Sequence, residues 1–564
     1  MLANVLDQNH PYPDGKLPYT WKSVGDYWPR RLLHISSMTS IERDESNFYG
    51  AVCKPEYSIL TYTWGRWKIR DAKGGPALPV LGTSWKIPAV REEHFTVKAF
   101  QSVVQRMSSD SIEWAWIDIA CIDQENAAAQ AEEVGRQASI FKNARRAFVW
   151  LSHLQTEALS SAVQSIQEHG LQLRDYIDRL GPYLSPHDLL HSLHKELNVL
   201  FDDPWFSSLW TLQEVVLRND ALVLSAQAEP IWWESNQYMY LTMFINHCQN
   251  MFKDFAELEK ELNRPENTRR SQEPRGQEMK DLISEVKKRI LQAGFYYLFT
   301  DNPNVQYGTA RYRTTSRDVD RIYAIMQIYN LRVGKSIRPH ENPSLDELVD
   351  EFALAINQTC LIMGQLFVHT EPPPPGKSWR ITRASTVPDT LMNYKEPRQQ
   401  STVTKNALGN IVVTCQCCPF PSLLELVRDA EQASPINLEF RLALDETILH
   451  QLSQHPLFGE AVAGHRFSNG RVPGWPLLPH FGGQNLWVLL LGDIRGEWDM
   501  QKRGFDGRYV GSLINCGLGG WSLEKEWQDI PHYRLGVCTW EARATWHEER
   551  LTTLPWKCVQ VELY

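Results

Sequence analysis

Three apolar runs of strand length constrain the fold of this chain more than any other feature. They cover residues 57–62, 112–119 and 147–151, and each closes on small polar or acidic residues. Helical stretches separate the runs, which predicts the order β-α-β-α-β. Because crossovers between parallel strands are right-handed, the carboxyl ends of all three strands meet at one edge of the sheet. We therefore expect an α/β domain with its functional site at this edge.

The spacing of apolar residues predicts the helices between these strands. Phe100, Val103, Val104 and Met107 fall at i, i+3, i+4 and i+7, which is typical of one buried helical face. The second run, 112–119, is almost continuously apolar, as expected for a parallel strand covered on both faces. Asp123 is predicted to cap a helix over residues 124–144.

Length and charge limit the class of protein. A chain of 564 residues is too long for one hydrophobic core. The net charge of -9 argues against a nucleic-acid partner, because such binding normally needs a concentrated basic face. We expect no secretory signal at the start of the chain, and no run approaches the ~18 to 20 apolar residues of a membrane helix. A cytoplasmic protein with reduced thiols is expected.

We expect neither a metal site nor a resident cofactor. Cys415, Cys417 and Cys418 are the only closely spaced cysteines, and their C-x-C-C run lacks the paired two-residue spacing of common zinc sites. No Gly-rich phosphate loop of the Walker type is present.

Changes in pattern predict four regions. An N-terminal arm covers residues 1–56, and the α/β domain covers 57–226. A mainly helical region, 227–400, extends the α/β domain. A stiff run of prolines at 372–375 lies within this helical region. From 401 to 564, short β-type runs alternate with Gly, Pro and Asn, which predicts a β-rich C-terminal domain.

Four ordered blocks in the α/β region resemble the fungal heterokaryon incompatibility (HET) domain. They are residues 57–65 (YSILTYTWG), 116–124 (WIDIACIDQ), 144–152 and 204–214 (PWFSSLWTLQE). The chain departs from the family pattern at Thr61, where Ser is usual, at Asp123, where Asn is usual, and at Ser208, where a basic residue is usual. Weaker resemblance continues at 317–328 and 378–389.

HET domains in turn resemble Toll/interleukin receptor (TIR) domains, whose flavodoxin-like parallel sheet has the same order of strands and motifs. Many enzymatic TIR domains cleave the nicotinamide–ribose bond of NAD with a glutamate of the last helix. The resemblance implies that Glu214 has this role and that NAD is a substrate rather than a bound cofactor. It also implies a part in programmed cell death and in fungal self/non-self recognition, a form of innate immunity.

The chemistry of this reaction needs a carboxylate beside a developing ribosyl cation and a flat surface that holds the rings. Glu214 is the candidate carboxylate, and Trp64, Trp205 or Trp210 the candidate surface. The candidate substrate-binding residues are Trp64, Gly65, Asp118, Asp123, Gln124 and Trp210.

Structural roles remain open for the same residues. Trp210 can pack in the core while Glu214 bonds to backbone or to an arginine. Asp118 can bind a ribose hydroxyl or cap the turn that follows it. Asp123 can be a helix cap instead of a ligand-binding residue.

Two classes of function follow from the resemblance. In the first, the domain is an NAD glycohydrolase. In the second, it is a non-catalytic signalling module that recruits other incompatibility proteins or associates with itself. Fold alone does not decide between the two.

Overall fold

The chain forms two compact units. In the computed structural model they comprise residues 1–298 with 312–343, here the N-terminal unit, and residues 299–311 with 344–564, the C-terminal unit. The structure describes residues 28–63, 77–108, 112–178, 185–263, 274–296, 298–300, 302–388, 395–406, 411–433, 440–454, 477, 482–499, 504–516, 532–541 and 554–563.

A mixed sheet lies at the centre of the N-terminal unit. The strands of this unit are β1 (Arg31–His34), β2 (Thr39–Glu42), β3 (Phe48–Tyr49), β4 (Val52–Cys53), β5 (Tyr57–Thr61), β6 (Trp114–Trp116), β7 (Arg146–Trp150), β8 (Leu222–Leu224), β9 (Trp232–Glu234) and β10 (Gln237–Tyr238). The central sheet has the order β2-β1-β6-β5-β7-β8. Strands β6, β5, β7 and β8 run parallel, and the β1–β2 hairpin adds an antiparallel edge beside β6.

The parallel strands have the spatial order 2-1-3-4 when numbered along the chain, which is the order of flavodoxin-like sheets. In such sheets ligands bind outside the carboxyl ends of the strands, where the strand order reverses. Here that position lies at the ends of β5 and β7. All five residues of β5 are buried, as expected for a parallel strand with both faces covered.

Helices cover the sheet and continue into a helical layer. The main helices of the N-terminal unit are α1 (Val97–Arg106), α2 (Asp118–Cys121), α3 (Ala127–Val134), α4 (Gln137–Asn143), α5 (Thr156–Ile177), α6 (Pro186–Phe201), α7 (Leu209–Leu217), α8 (Leu241–Leu262) and α9 (Pro274–Ala293), and a further single-turn helix covers Asp320–Tyr323. The predicted apolar face of α1 is confirmed, because Phe100, Val103 and Val104 are buried. Helices α5, α6, α8 and α9 pack on one another.

Two boundaries differ from the prediction. The second strand ends at Trp116, because residues from Asp118 onward turn into α2. The helix predicted over 124–144 is two helices, α3 and α4, divided at Gly135. A Cβ at Gly135 would lie 2.9 Å from Nε of Arg332 and 3.0 Å from Cβ of Ser336, so glycine leaves room for these two side chains at the break.

The C-terminal unit is built on an antiparallel sheet. Its strands are β11 (Val368–His369), β12 (Ser385–Thr386), β13 (Lys395–Gln399), β14 (Thr402–Lys405), β15 (Ile411–Pro419), β16 (Phe440–Leu444), β17 (Leu486–Asp499), β18 (Gly504–Asn515), β19 (Tyr533–Glu541) and β20 (Lys557–Leu563). The main sheet has the order β14-β15-β17-β18-β19-β16, with β13 paired to β17 and β20 paired to β15. Its helices are α10 (Pro303–Thr309), α11 (Leu345–Thr359), α12 (Leu361–Gln365), α13 (Phe420–Ala433) and α14 (Glu446–Ser453).

A buried ion pair joins distant segments of the C-terminal unit. Nη1 of Arg534 lies 3.0 Å from Oδ1 of Asp445, and both side chains are almost fully buried. The Arg534 guanidinium also donates to the carbonyls of Gln365 and Phe367. The backbone N–H of His369 donates to the same Asp445 oxygen at 2.9 Å.

The predicted fold class is confirmed: a mostly parallel sheet with helices, a helical middle region and an antiparallel β-rich C-terminal region. Part of the predicted N-terminal arm joins the central sheet as β1 and β2. Within the part of the chain that the structure describes, no helix is both long and apolar enough to cross a membrane.

Candidate functional site

Helix α7 presents two side chains that its neighbours do not cover. Seven of its nine residues are buried, and the two exceptions are Trp210 and Glu214, which keep partial exposure. They stand four residues apart, so they share one face of the helix. The sequence FSSLWTLQEVVL is otherwise that of a core helix. A partly exposed acidic residue and a partly exposed aromatic residue on such a helix make this face the candidate site.

The Glu214 carboxyl group binds the end of the first parallel strand. Oγ1 of Thr61, the last residue of β5, donates a hydrogen bond to Oε2 of Glu214. Nε1 of Trp205 donates to the same threonine oxygen at 2.8 Å. Among the described residues no arginine or lysine forms an ion pair with Glu214. The partner of the carboxyl group is thus a hydroxyl, not the arginine or backbone of the structural alternative.

Burial raises the pKa of Glu214 to about 8, the bond from Thr61 opposes this rise, and the nearby Asp118 carboxylate adds to it. The residue as a whole keeps partial exposure, but its carboxyl group is withdrawn from bulk water. At neutral pH Glu214 is therefore mostly protonated.

Asp118 lies where the second parallel strand ends. Asp118 is the first residue of α2 and is half-buried, and its Oδ1 accepts from the N–H of Ile119 at 2.7 Å. Its charge acts on the carboxyl group of Glu214, so the structure brings these two predicted residues together. Nε2 of Gln124 donates to the carbonyls of Asp118 at 3.3 Å and of Ile122 at 2.9 Å, and so holds the turn after the strand.

Asp123 has bonds only within its own turn among those that the structure shows. Its Oδ1 accepts from the N–H groups of Glu125 at 2.9 Å and of Asn126 at 3.0 Å. Asn126 is the residue that caps α3, with its side chain accepting from Ala128 and Ala129. The prediction that Asp123 caps the helix is wrong, because Asn126 is the N-cap of α3 and Asp123 instead accepts from the two N–H groups of the turn before it.

Tyr62 belongs to the site but was not predicted from the sequence. Its ring is buried and stacks on Trp150, with centroids 5.9 Å apart. Burial raises the pKa of its hydroxyl well above the usual value, and the charge of Asp118, the hydrogen bonding of the hydroxyl to Asp118 and the charge of Glu214 add to this rise. The buried hydroxyl is therefore a neutral donor beside two carboxyl groups.

A known protein family matches the part of the chain that contains this candidate site. A protein-family model described as "Heterokaryon incompatibility protein (HET)" matches residues 57–214. Those residues form a HET domain. Its first matched residue begins β5, and its last matched residue is Glu214. Neither a curated protein nor a solved structure matches the chain, so the likeness of this HET domain to TIR domains stays a prediction.

Buried polar groups fix the HET-domain helix that carries Glu214. Arg313 is buried, and its Nη1 donates to the carbonyls of Trp205 at 3.0 Å and of Ser208 at 3.1 Å. Asp203 accepts from the N–H of Trp205 at 2.9 Å, and burial raises the pKa of this carboxyl to about 6. These bonds hold the 3₁₀ turn Pro204–Ser207, which leads into α7.

Gln213 anchors the helix from the opposite side. It is fully buried, its Nε2 donates to Oε1 of Gln137 at 2.9 Å, and its Oε1 accepts from the N–H of Gln327 at 3.1 Å. The glutamine that precedes Glu214 is thus structural. In the sequence, Gln213 and Glu214 are two adjacent polar residues in an apolar helix. That pattern cannot show which of the two side chains faces the core.

The remaining predictions of this site stay open. Trp64 and Gly65 lie outside the described residues. In the described ranges no group of three His, Cys, Asp or Glu side chains is arranged to hold a metal ion.

Proposed function

We propose that the HET domain hydrolyses the nicotinamide–ribose bond of NAD or of a closely related dinucleotide, with Glu214 as the catalytic carboxyl group. One observation carries the proposal: Trp210 and Glu214 are the two open positions on an otherwise buried helix, and Asp118 lies beside them. They stand at the carboxyl edge of a sheet with flavodoxin-like strand order, where nucleotides bind in related architectures.

The reaction makes modest demands on the protein. The bond between the ribose carbon and the pyridinium nitrogen breaks, the ring leaves with the bonding electrons as neutral nicotinamide, and positive charge develops on the ribose. Water then adds to that carbon and releases one proton. No general acid is needed, and a carboxylate next to the ribose lowers the energy of the cationic transition state.

The raised pKa of Glu214 is compatible with this role. A pyridinium ring that carries a positive charge favours the ionised form of a nearby carboxyl group. Bound NAD would therefore lower the pKa of Glu214 and release its proton, which leaves a carboxylate in a site with little water. Electrostatic stabilisation is strong in such surroundings.

The other side chains suit the rest of the ligand. Trp210 offers a partly open indole for stacking on a flat cationic ring. In this proposal the carboxylate of Asp118 accepts from ribose hydroxyls, and the hydroxyl of Tyr62, which interacts with Asp118, supports it. Trp64, Gly65 and Gln124 are proposed as further contacts on the ligand.

The biological setting follows from the family. A HET domain connects the chain with heterokaryon incompatibility. We infer that loss of NAD, or a product signal, leads to death of the cell after fusion of unlike hyphae. In this scheme the protein acts in the cytoplasm, either with other incompatibility proteins or as an oligomer of itself.

The test is NAD consumption by purified full-length protein at high concentration. Parent protein is compared with Glu214→Gln, Trp210→Ala and the control Glu234→Gln, which alters an exposed carboxylate on β9. We expect turnover by parent and control, at least a hundredfold less by Glu214→Gln, and a raised KM for Trp210→Ala. Inactivity of the parent, together with undiminished cell death in cells that express Glu214→Gln, would reject the proposal in favour of a non-catalytic module.

A further inference from the structure

When Glu214 is ionised, the hydrogen bonds at this residue have one consistent direction. The indole N–H of Trp205 is a donor and cannot accept, so Oγ1 of Thr61 must accept from it across 2.8 Å. A threonine hydroxyl has a single proton. That proton is left for Oε2 of Glu214, the second neighbour of the hydroxyl. The chain therefore runs Trp205 to Thr61 to Glu214 and ends at one specific carboxyl oxygen.

Rigid elements hold both upstream members of this chain. Thr61 is 2% exposed, and its backbone pairs with Val149 in the centre of the parallel sheet. Trp205 is fully buried, and its ring packs edge-on against Phe206 with centroids 5.0 Å apart. The backbone carbonyl of Trp205 accepts a hydrogen bond from Arg313, and its backbone N–H donates to Asp203. Supporting groups that are themselves fixed give a reactive side chain a defined orientation.

We infer that Thr61 is a positioning residue for Glu214: oriented by the Trp205 indole, its hydroxyl holds Oε2 and leaves Oε1 as the oxygen that meets the ligand. The inference rests on the proposed function for its catalytic meaning, but the bond itself exists without substrate. Two consequences can be measured. The bond stabilises the ionised carboxyl group, and it limits rotation of that group.

The experiment compares Thr61→Val, which removes the hydroxyl at nearly constant shape, with Thr61→Ser, which keeps it. The protonation of Glu214 is followed without substrate by infrared difference spectroscopy on protein with ¹³C-labelled glutamate, and the Glu214→Gln variant identifies the band. We expect the pKa of Glu214 to rise by about one pH unit in Thr61→Val and to stay near the parent value in Thr61→Ser.

Kinetics provide the second readout. With NAD as substrate, Thr61→Val should lower kcat about tenfold, change KM less than about threefold and move the acidic limb of the pH profile upward, and Thr61→Ser should restore all three. Trp205→Phe keeps the hydroxyl but frees its direction, so it should show a smaller effect of the same sign. A loss of packing alone would lower stability without moving the titration.

The outcomes separate this inference from the proposed function. If Glu214 titrates identically in the parent and in Thr61→Val, the inference is wrong, whatever the activity. If the titration moves as expected but the parent does not consume NAD, the proposed function fails and the positioning by Thr61 stands. If Thr61→Val does not fold, Thr61→Ala replaces it against Thr61→Ser, with the same expected direction.

Discussion

Replacement of Glu214 by glutamine should stabilise the N-terminal unit at alkaline pH. The pKa of this carboxyl is raised to about 8, because burial removes its charged form from water. The folded protein thus holds a proton that the unfolded chain loses near its ordinary pKa of about 4.5. Stability from neutral Glu214 is complete below about pH 4.5 and declines as the pH rises to about 8. Glutamine keeps the shape and carries no charge at any of these pH values.

The size of the effect follows from the same pKa. At roughly 1.4 kcal/mol for each pH unit, the full difference corresponds to an upper limit of about 5 kcal/mol above pH 8. Partial exposure of the residue and local relaxation reduce this, and we expect about 2 kcal/mol. For a unit of this size, that is a rise of roughly 4 °C in Tm for Glu214→Gln at pH 8, and less than about 1 °C at pH 5.

The assay is the difference in Tm and in urea midpoint between Glu214→Gln and parent from pH 5 to pH 8.5. Burial also raises the pKa of Asp203 to about 6 and that of Glu133 to about 7, but both groups are present in both proteins and cancel in the difference. Glu234→Gln serves as the control with a difference near zero at every pH. A difference for Glu214→Gln that does not change between pH 5 and pH 8, or a variant less stable than parent at pH 8, would refute the reasoning.

Two further predictions concern buried polar groups away from the reacting atoms. Gln213→Leu should destabilise the N-terminal unit by about 2 kcal/mol, because Oε1 of Gln137 and the N–H of Gln327 lose their partner. Urea denaturation measures the loss. The control is Gln277→Leu at an exposed position, which should change stability by less than about 0.5 kcal/mol. Arg534→Met should lower the stability of the C-terminal unit by about 3 to 5 kcal/mol, because Asp445 would keep a buried charge without its partner. The control is Arg338→Met, which removes one member of the exposed pair of Arg338 with Glu341. An equal loss of stability in both variants would contradict the argument.

The fold of the HET region could be predicted because its signals are local and consistent. Continuous apolar runs predicted buried parallel strands, and the periodicity from Phe100 to Met107 predicted the face of α1. The break at Gly135 could not be predicted, since the side chains that pack against it, Arg332 and Ser336, lie about two hundred residues further along the chain. The early end of the second strand has a signal in the sequence, because Asp118 favours the start of a helix as well as the end of a strand.

The sequence predicted that Asp118 and Glu214 lie near each other, but it did not predict the hydrogen bonds around them. Position in the motifs placed Asp118 and Glu214 at the same edge, and the structure shows them in electrostatic contact. Thr61 was noted only as a departure from the family pattern, and Tyr62 only as part of a strand. Their roles depend on which face of β5 meets α7, and a strand buried on both faces gives no alternation from which this could be read.

The treatment of charge around α7 argues that Glu214 is retained for function. Arginines stand near both ends of this helix: Arg313 binds carbonyls before its amino end, and Arg218, at its carboxyl end, pairs with Asp220 at 2.7 Å. The chain thus satisfies buried charges on both sides of Glu214 while the glutamate receives a single hydroxyl. Selection for stability alone would favour an apolar residue or an ion pair at this position. A carboxyl group kept in a costly protonated state, on the open face of the helix, is the pattern expected where a cationic ligand or transition state supplies the missing charge.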